Sequence, residues 1–157
     1  MATLGNVIWF VLCGGFFAAI AWVVSGILLC VSIVGIPAGV AAFRIAGFAA
    51  FPFGKELVDA RMLGEKRITG TTLMNVLWFL LGGWWLAVLH CIAGLWCFVS
   101  CILVLPALLG APAWGIAHFR LASVSLAPLG KRTVPKGMAE KARARYYDKK
   151  LDEKVGG

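Results

Sequence analysis

Two arginines stand alone in long apolar surroundings: Arg44 in Gly39-Val40-Ala41-Ala42-Phe43-Arg44-Ile45-Ala46, and Arg120 in Gly115-Ile116-Ala117-His118-Phe119-Arg120-Leu121-Ala122. An arginine at the centre of a membrane helix costs roughly 2.5 to 3.5 kcal/mol on insertion scales, so a guanidinium kept there marks a candidate binding site. Without an acidic partner it suits an anion, a phosphate headgroup or carbonyl oxygens. Each arginine precedes a lysine, Lys55 or Lys131, by eleven residues. On continuous helix that is about 16 Å, close to the midplane of a ~30 Å hydrocarbon core. A structural reading competes with the binding one, because a long arginine can snorkel to the outer interface or cap carbonyls of an uncharged turn. His118 lies two residues before Arg120, where the first segment has Ala42, and is a candidate modulator of an anion held there; His90 is the other interior histidine. Neither has the serine, cysteine or carboxylate arrangement of a triad or a metalloenzyme, and both also read as histidines hydrogen-bonded between helices. The apolar segments contain no carboxylate, which disfavours proton or cation coupling. No catalytic residue, metal ligand or cofactor is expected, and the chain does not read as an enzyme.

The elements that must position these residues are written twice. Thr3-Leu4-Gly5-Asn6-Val7-Ile8-Trp9-Phe10 returns 69 positions later as Thr72-Leu73-Met74-Asn75-Val76-Leu77-Trp78-Phe79, and the arginine segments recur 76 positions apart. Both halves close on Pro-x-Gly-Lys, Pro52-Phe53-Gly54-Lys55 and Pro128-Leu129-Gly130-Lys131. A duplicated unit follows, with a seven-residue insertion around Pro106 to Pro112 in the second copy.

Sixty-one per cent hydrophobic and 14% charged residues lie far from the roughly 45–50% and 25% of soluble domains. No charge occurs between Ala2 and Phe43, or between Ile68 and Phe119. Each run is about twice the length that spans a bilayer, so each must turn back, at Gly35-Ile36-Pro37 and around Pro106 to Pro112. The reading is an all-α integral membrane protein of two tandem helical hairpins, a parallel internal repeat with about four membrane helices. The N-terminal run lacks a basic leader and is far longer than a signal h-region, so it reads as the first span. Thr3 and Thr72 are candidate N-caps, and Trp9 and Trp78 candidate interfacial anchors. Gly14-Gly15 and Gly82-Gly83 are places for a kink or close crossing. Ala38, Ala42, Ala46 and Ala50 form a packing stripe, with Gly115, Ala122 and Ser125 as its less regular counterpart. Five cysteines, all in apolar segments, read as small hydrophobes.

The net charge of +8 is concentrated in the loop between the copies and in the tail, which places both, and both termini, in the cytoplasm or its topological equivalent. Residues 3–55 then form the first hairpin, 56–71 a cytoplasmic linker, 72–134 the second hairpin, and 135–157 a basic, partly helical tail. Membrane lipids are expected partners, anionic ones attracting the tail. Nucleic acid is not expected, because basic and acidic residues interleave there.

Val31-Ser32-Ile33-Val34-Gly35-Ile36-Pro37-Ala38-Gly39, Phe43-Arg44-Ile45-Ala46, Pro52-Phe53-Gly54-Lys55 and Gly83-Trp84-Trp85-Leu86 with His90 resemble the YccF-type inner-membrane component domain family. The similarity spans roughly residues 3 to 134. It implies a doubled domain in the bacterial inner membrane and brings no reaction, so no catalytic residue is carried over. The second copy departs from Gly-Ile-Pro-x-Gly, with Gly110-Ala111-Pro112-Ala113-Trp114-Gly115 in its place. Two functions from different classes follow. One is an oligomer that binds or conducts an anionic species through Arg44 and Arg120, with His118 beside them. The other is a non-transporting accessory subunit of a larger membrane complex, or a lipid-headgroup-binding protein.

Overall fold

The computed structural model describes residues 2–66, 68–103 and 111–156, with the side chains of 100–103 and 111 outside that description. The turn around Pro106 and Gly110, where the second copy carries its insertion, lies outside the described residues.

The first copy runs α1 (Ala2–Leu12), α2 (Gly15–Cys30), a short 3-10 turn and α3 (Ile36–Ala50). The second runs α4 (Thr71–Trp78), a π turn at Phe79–Gly83, α5 (Trp84–Leu103) and α6 (Ala111–Leu126). Pro37 sits in the first turn of α3, where its missing N–H costs no helical hydrogen bond. The long first helix of each copy breaks at the paired glycines. Gly14 takes a left-handed φ of 83°, and α1 and α2 meet at a 73° bend. In the second copy Gly82 leaves helical geometry inside the π turn. Stretches 33–50 and 71–99 are each long and apolar enough to cross a membrane, and α1 with α2 qualifies as a bent pair. α6, of 16 residues, completes the second hairpin.

Within each hairpin the helices cross at glycine. Gly26 of α2 faces Gly39 of α3 with Phe43 lying over the contact, and Gly94 of α5 faces Gly115 of α6 with Phe119 in the same place. The alanine stripe faces inward: Ala38, Ala42 and Ala46 are buried beside Ile45 and Phe48. The core joins both hairpins through Trp9, Trp22, Trp78, Trp114 and Leu121. Leu28, Leu80, Leu81, Ile92, Leu95 and Trp96 face outward, each more than 60% exposed, an apolar coat that lipid accepts and water would not.

Two features depart from the sequence reading. The linker and the tail both contribute a strand: β1 (Lys55–Asp59) pairs antiparallel with β2 (Lys131–Pro135). The central rung joins Leu57 to Thr133, residues that are equivalent in the two copies. The local two-fold of the ladder therefore coincides with the relation between the repeats. The tail is then one helix, α7 (Lys136–Val155). Leu57 packs toward the bundle core, whereas Val58 and Val134 pack with Ala139 of α7 and with Met62 and Leu63. The sheet is thus a layer between the helix ends and α7. In the other departure, Thr3 and Thr72 lie inside their helices, and left-handed Gly70 caps α4 without a side-chain bond.

Candidate functional site

Arg44 and Arg120 sit on exposed faces of α3 and α6. Each is six residues from the end of its helix, Ala50 or Leu126, hence about 9 Å from that end. The eleven-residue count to the lysine overstates the depth, because the Pro-x-Gly turn is not helical. The guanidinium of Arg44 faces the charged end of the molecule. It lines a groove of about 300 Å³ with Pro37 and Ala41 along α3, Met74 on α4, and Lys66, Lys131 and Arg132 at the rim. Two cations of this rim are paired with acids that also line it: Arg61 bonds Asp59 at 2.9 Å and Arg132 bonds Glu65 at 2.9 Å. Hydrogen bonding from Arg61 holds the Asp59 carboxyl below its ordinary value. Among the described residues, Arg44, Lys66 and Lys131 have no such acid within ion-pair distance. The groove is apolar along the helices and cationic at its end.

Arg120 lines a different groove, with Phe48, Val124, Lys131 and Arg143 and with Glu56, which Arg143 bonds at 2.6 Å. The structure therefore does not bring Arg44 and Arg120 into one site, although Lys131 borders both grooves.

His118, two residues from Arg120, turns to the opposite face of α6 and is buried. There it forms a relay that links α2, α5 and α6 with the break between α1 and α2. Trp22 Nε1 donates to His90 Nε2 at 3.2 Å, His90 Nδ1 and His118 Nδ1 lie 3.3 Å apart, and His118 Nε2 is 3.1 Å from the Cys13 carbonyl. An indole N–H only donates and a carbonyl only accepts. Both ends of the relay are thereby fixed. His90 must carry its proton on Nδ1 and donate to His118 Nδ1, while His118 carries its proton on Nε2. Both rings are neutral, in opposite tautomers. Trp22 also stacks on Trp78 at 5.5 Å, and His118 lies 4.6 Å from the Trp9 ring.

Trp9 and Trp78, which read as interfacial anchors in the sequence, and the duplicated Asn6 and Asn75 close each repeat on itself. Trp9 Nε1 donates to the Ala49 carbonyl at 2.7 Å, and Trp78 Nε1 to the Ser125 carbonyl at 2.6 Å. Both tryptophans are buried rather than at a lipid interface. Each indole passes over a glycine, Gly15 or Gly83, whose Cβ would collide with the ring. Asn6 donates to the Phe53 carbonyl at 3.1 Å and accepts from its N–H at 2.9 Å; Asn75 does the same with Leu129, at 3.2 and 3.0 Å. These clamps fix the Pro-x-Gly-Lys turns, and so place Lys55 and Lys131. Their signal in the sequence is identity at equivalent positions of both copies.

Comparison with known proteins agrees with this architecture. The YccF inner membrane component domain model matches twice, at residues 4–55 and 73–131. The chain is 32% identical over 148 residues to inner membrane protein YccF of Escherichia coli (strain K12), covering 91% of this chain and 94% of that protein. The corresponding protein of Shigella flexneri matches to the same extent. No solved structure matches. Two clamped hairpins, each coinciding with one match to the domain model, place this chain in the YccF inner membrane component domain family.

Proposed function

We propose that the protein is a non-enzymatic, multi-pass component of the bacterial inner membrane that binds an anionic, phosphate-bearing species at the cationic end of its helices. The observation that carries this is the Arg44 groove at the end of an apolar channel between α3 and α4, where the two lining acids, Asp59 and Glu65, are bonded to Arg61 and Arg132, and Arg44, Lys66 and Lys131 make no ion pair among the described residues. An apolar wall leading to clustered cations is the chemistry of an anionic lipid: chain along the helices, phosphate at the rim. Arg120 with Lys131 supplies a second, weaker position, weakened by Glu56. The basic end is the cytoplasmic one by the positive-inside rule. Ala2 lies beside Gly54, so the start of α1, the sheet and α7 share that end. His118 acts on the arginines only through helix packing.

Conduction of an anion is the alternative use of the same charges. The centre of one chain is filled by Trp9, Trp22, Trp78 and Leu121, so a path would run between copies of a homo-oligomer. The test is reconstitution in nanodiscs of phosphatidylcholine with and without phosphatidylglycerol, comparing wild type with Arg44→Gln plus Lys131→Gln. Stabilisation by phosphatidylglycerol that the double variant loses supports the headgroup reading. No difference between lipids removes it. Anion-selective current in planar bilayers, lost in Arg44→Ala plus Arg120→Ala, would favour conduction instead.

A further inference from the structure

A larger basic concavity lies elsewhere, on the side of the sheet away from the bundle. Between α7 and the turn at 60–64 a groove of about 860 Å³ is lined by Arg61, Lys141, Arg145, Lys149 and Lys150 against the single acid Glu153. Its apolar part is Met62, Leu63, Met138 and Tyr146. Met138 is 52% exposed, and Lys150 sits over the Tyr146 ring at 5.8 Å. Among the described residues, Lys141 and Arg145 make no ion pair, and Lys149 is only 4.0 Å from Glu153. Lys141, Arg145 and Lys149 follow one another at four-residue spacing, one stripe of the helix. The first half of α7 is anchored by buried Ala139 and Ala142 and by the Arg143–Glu56 pair. Beyond it the same face continues along the groove, opposite Arg61 and Met62.

We infer that this groove docks an acidic, apolar-studded segment of a soluble protein. Three observations choose the occupant. The sheet lies between the groove and the helix ends, a layer of roughly 10 Å that sets the groove back from the apolar helices. A concave groove between a helix and a turn fits a segment of chain, not a flat surface. The methionines and Leu63 give adaptable apolar contacts that apolar side chains fill, while the stripe of cations supplies charge complementarity to carboxylates. The inference is independent of the Arg44 site.

The test uses the full chain in phosphatidylcholine nanodiscs and a fluorescent peptide of about 20 residues, with glutamates four apart flanking leucines, read by fluorescence anisotropy. Lys141→Glu plus Arg145→Glu should weaken binding at least about tenfold, and Met138→Ser should weaken it by a smaller factor. Glu153→Lys should tighten binding, and this arm stands even if the double variant fails to fold. Added salt should weaken the wild-type complex. Absence of peptide binding to wild type overturns the inference. So does equal affinity for an all-acidic peptide or a single-stranded oligonucleotide, which would make the groove a general polyanion site. Loss of peptide binding when phosphatidylglycerol is added to the nanodisc would show that lipid reaches the groove, and would overturn it as well.

Discussion

The two repeats agree at their charged ends and diverge at their centres. At the ends, Trp9 and Trp78 make the same bond to α3 and α6, Asn6 and Asn75 the same pair of bonds to the turns that follow those helices, and Gly15 and Gly83 the same crossing under the indoles. At the centres, Trp22 faces His90, its own equivalent, and His118 stands where the first copy has Ala42. The kink segment differs too: Trp9-Phe10-Val11-Leu12-Cys13-Gly14 is one residue longer than Trp78-Phe79-Leu80-Leu81-Gly82, and the carbonyl of Cys13 is the one that receives His118. What must hold a hairpin shut is duplicated. Apart from the β1–β2 ladder, what joins one hairpin to the other at the centre is asymmetric, because an interface between two copies in one chain can use different residues on its two sides.

The sharpest attack on that comparison is at the glycines. Gly15→Val and Gly83→Val should each expel the indole and leave the Ala49 or Ser125 carbonyl unpaired, an expected loss of about 3 to 5 kcal/mol from overpacking plus an orphaned acceptor. Unfolding in detergent, followed by circular dichroism, should show similar losses for both; a large loss in only one would break the equivalence. Next comes the relay. His118→Ala leaves His90 Nδ1 and the Cys13 carbonyl without their partner and should cost about 1 to 3 kcal/mol, with no counterpart in the first repeat because Ala42 is already there. Nitrogen-15 spectra of labelled histidine should give one ring protonated at Nδ1 and the other at Nε2; a single common tautomer would contradict the relay. Asn6→Ala and Asn75→Ala should each cost about 1 to 2 kcal/mol, and their effects should add, since the clamps share no partner.

The smallest effect separates the linker from the tail. Asp59 has Pro135 as its equivalent, so only the first repeat has this acid bonded to Arg61. Its carboxyl is held below the ordinary value. A depressed carboxylate contributes stability above the ordinary value near 3.9, and that contribution disappears as pH falls through the folded value. Asp59→Asn should therefore cost less than about 1 kcal/mol at neutral pH, because the pair is solvent-screened. The difference from wild type should shrink in acid melts as pH falls below the ordinary carboxylate value and through the lower folded one.

Much of this architecture is legible in the sequence because a repeat reports its own boundaries. Duplicated Asn, Trp and Pro-x-Gly-Lys segments mark the hairpins, the inward alanine stripe follows from its spacing, and the kinks follow from paired glycines. The same reasoning misplaced Trp9 and Trp78, since an aromatic near a helix start reads as a membrane-interface anchor when burial is unseen. It set Arg44 too deep by treating a glycine turn as helix. It missed the ladder because Lys55-Glu56-Leu57-Val58-Asp59 and Lys131-Arg132-Thr133-Val134-Pro135 are short and distant, and strand pairing at such separation leaves no local periodicity. The relay was marked only where the copies disagree, at Trp22 and His90 and at Ala42 and His118, and departure from a repeat gives a position without giving its partner.

The Leu57–Thr133 rung also sets an order of events during synthesis. Lys55 pairs with Pro135, eighty residues further along the chain. At roughly 5 to 20 residues per second, the ribosome needs several seconds or more to supply that partner. Until then the edge of the first strand is open to any other chain, while the hairpin before it is already in the bilayer. Charged Lys55, Glu56 and Asp59 along so short a strand make it a poor template for wrong partners during that wait. The layer at the charged end closes only when the tail has been made.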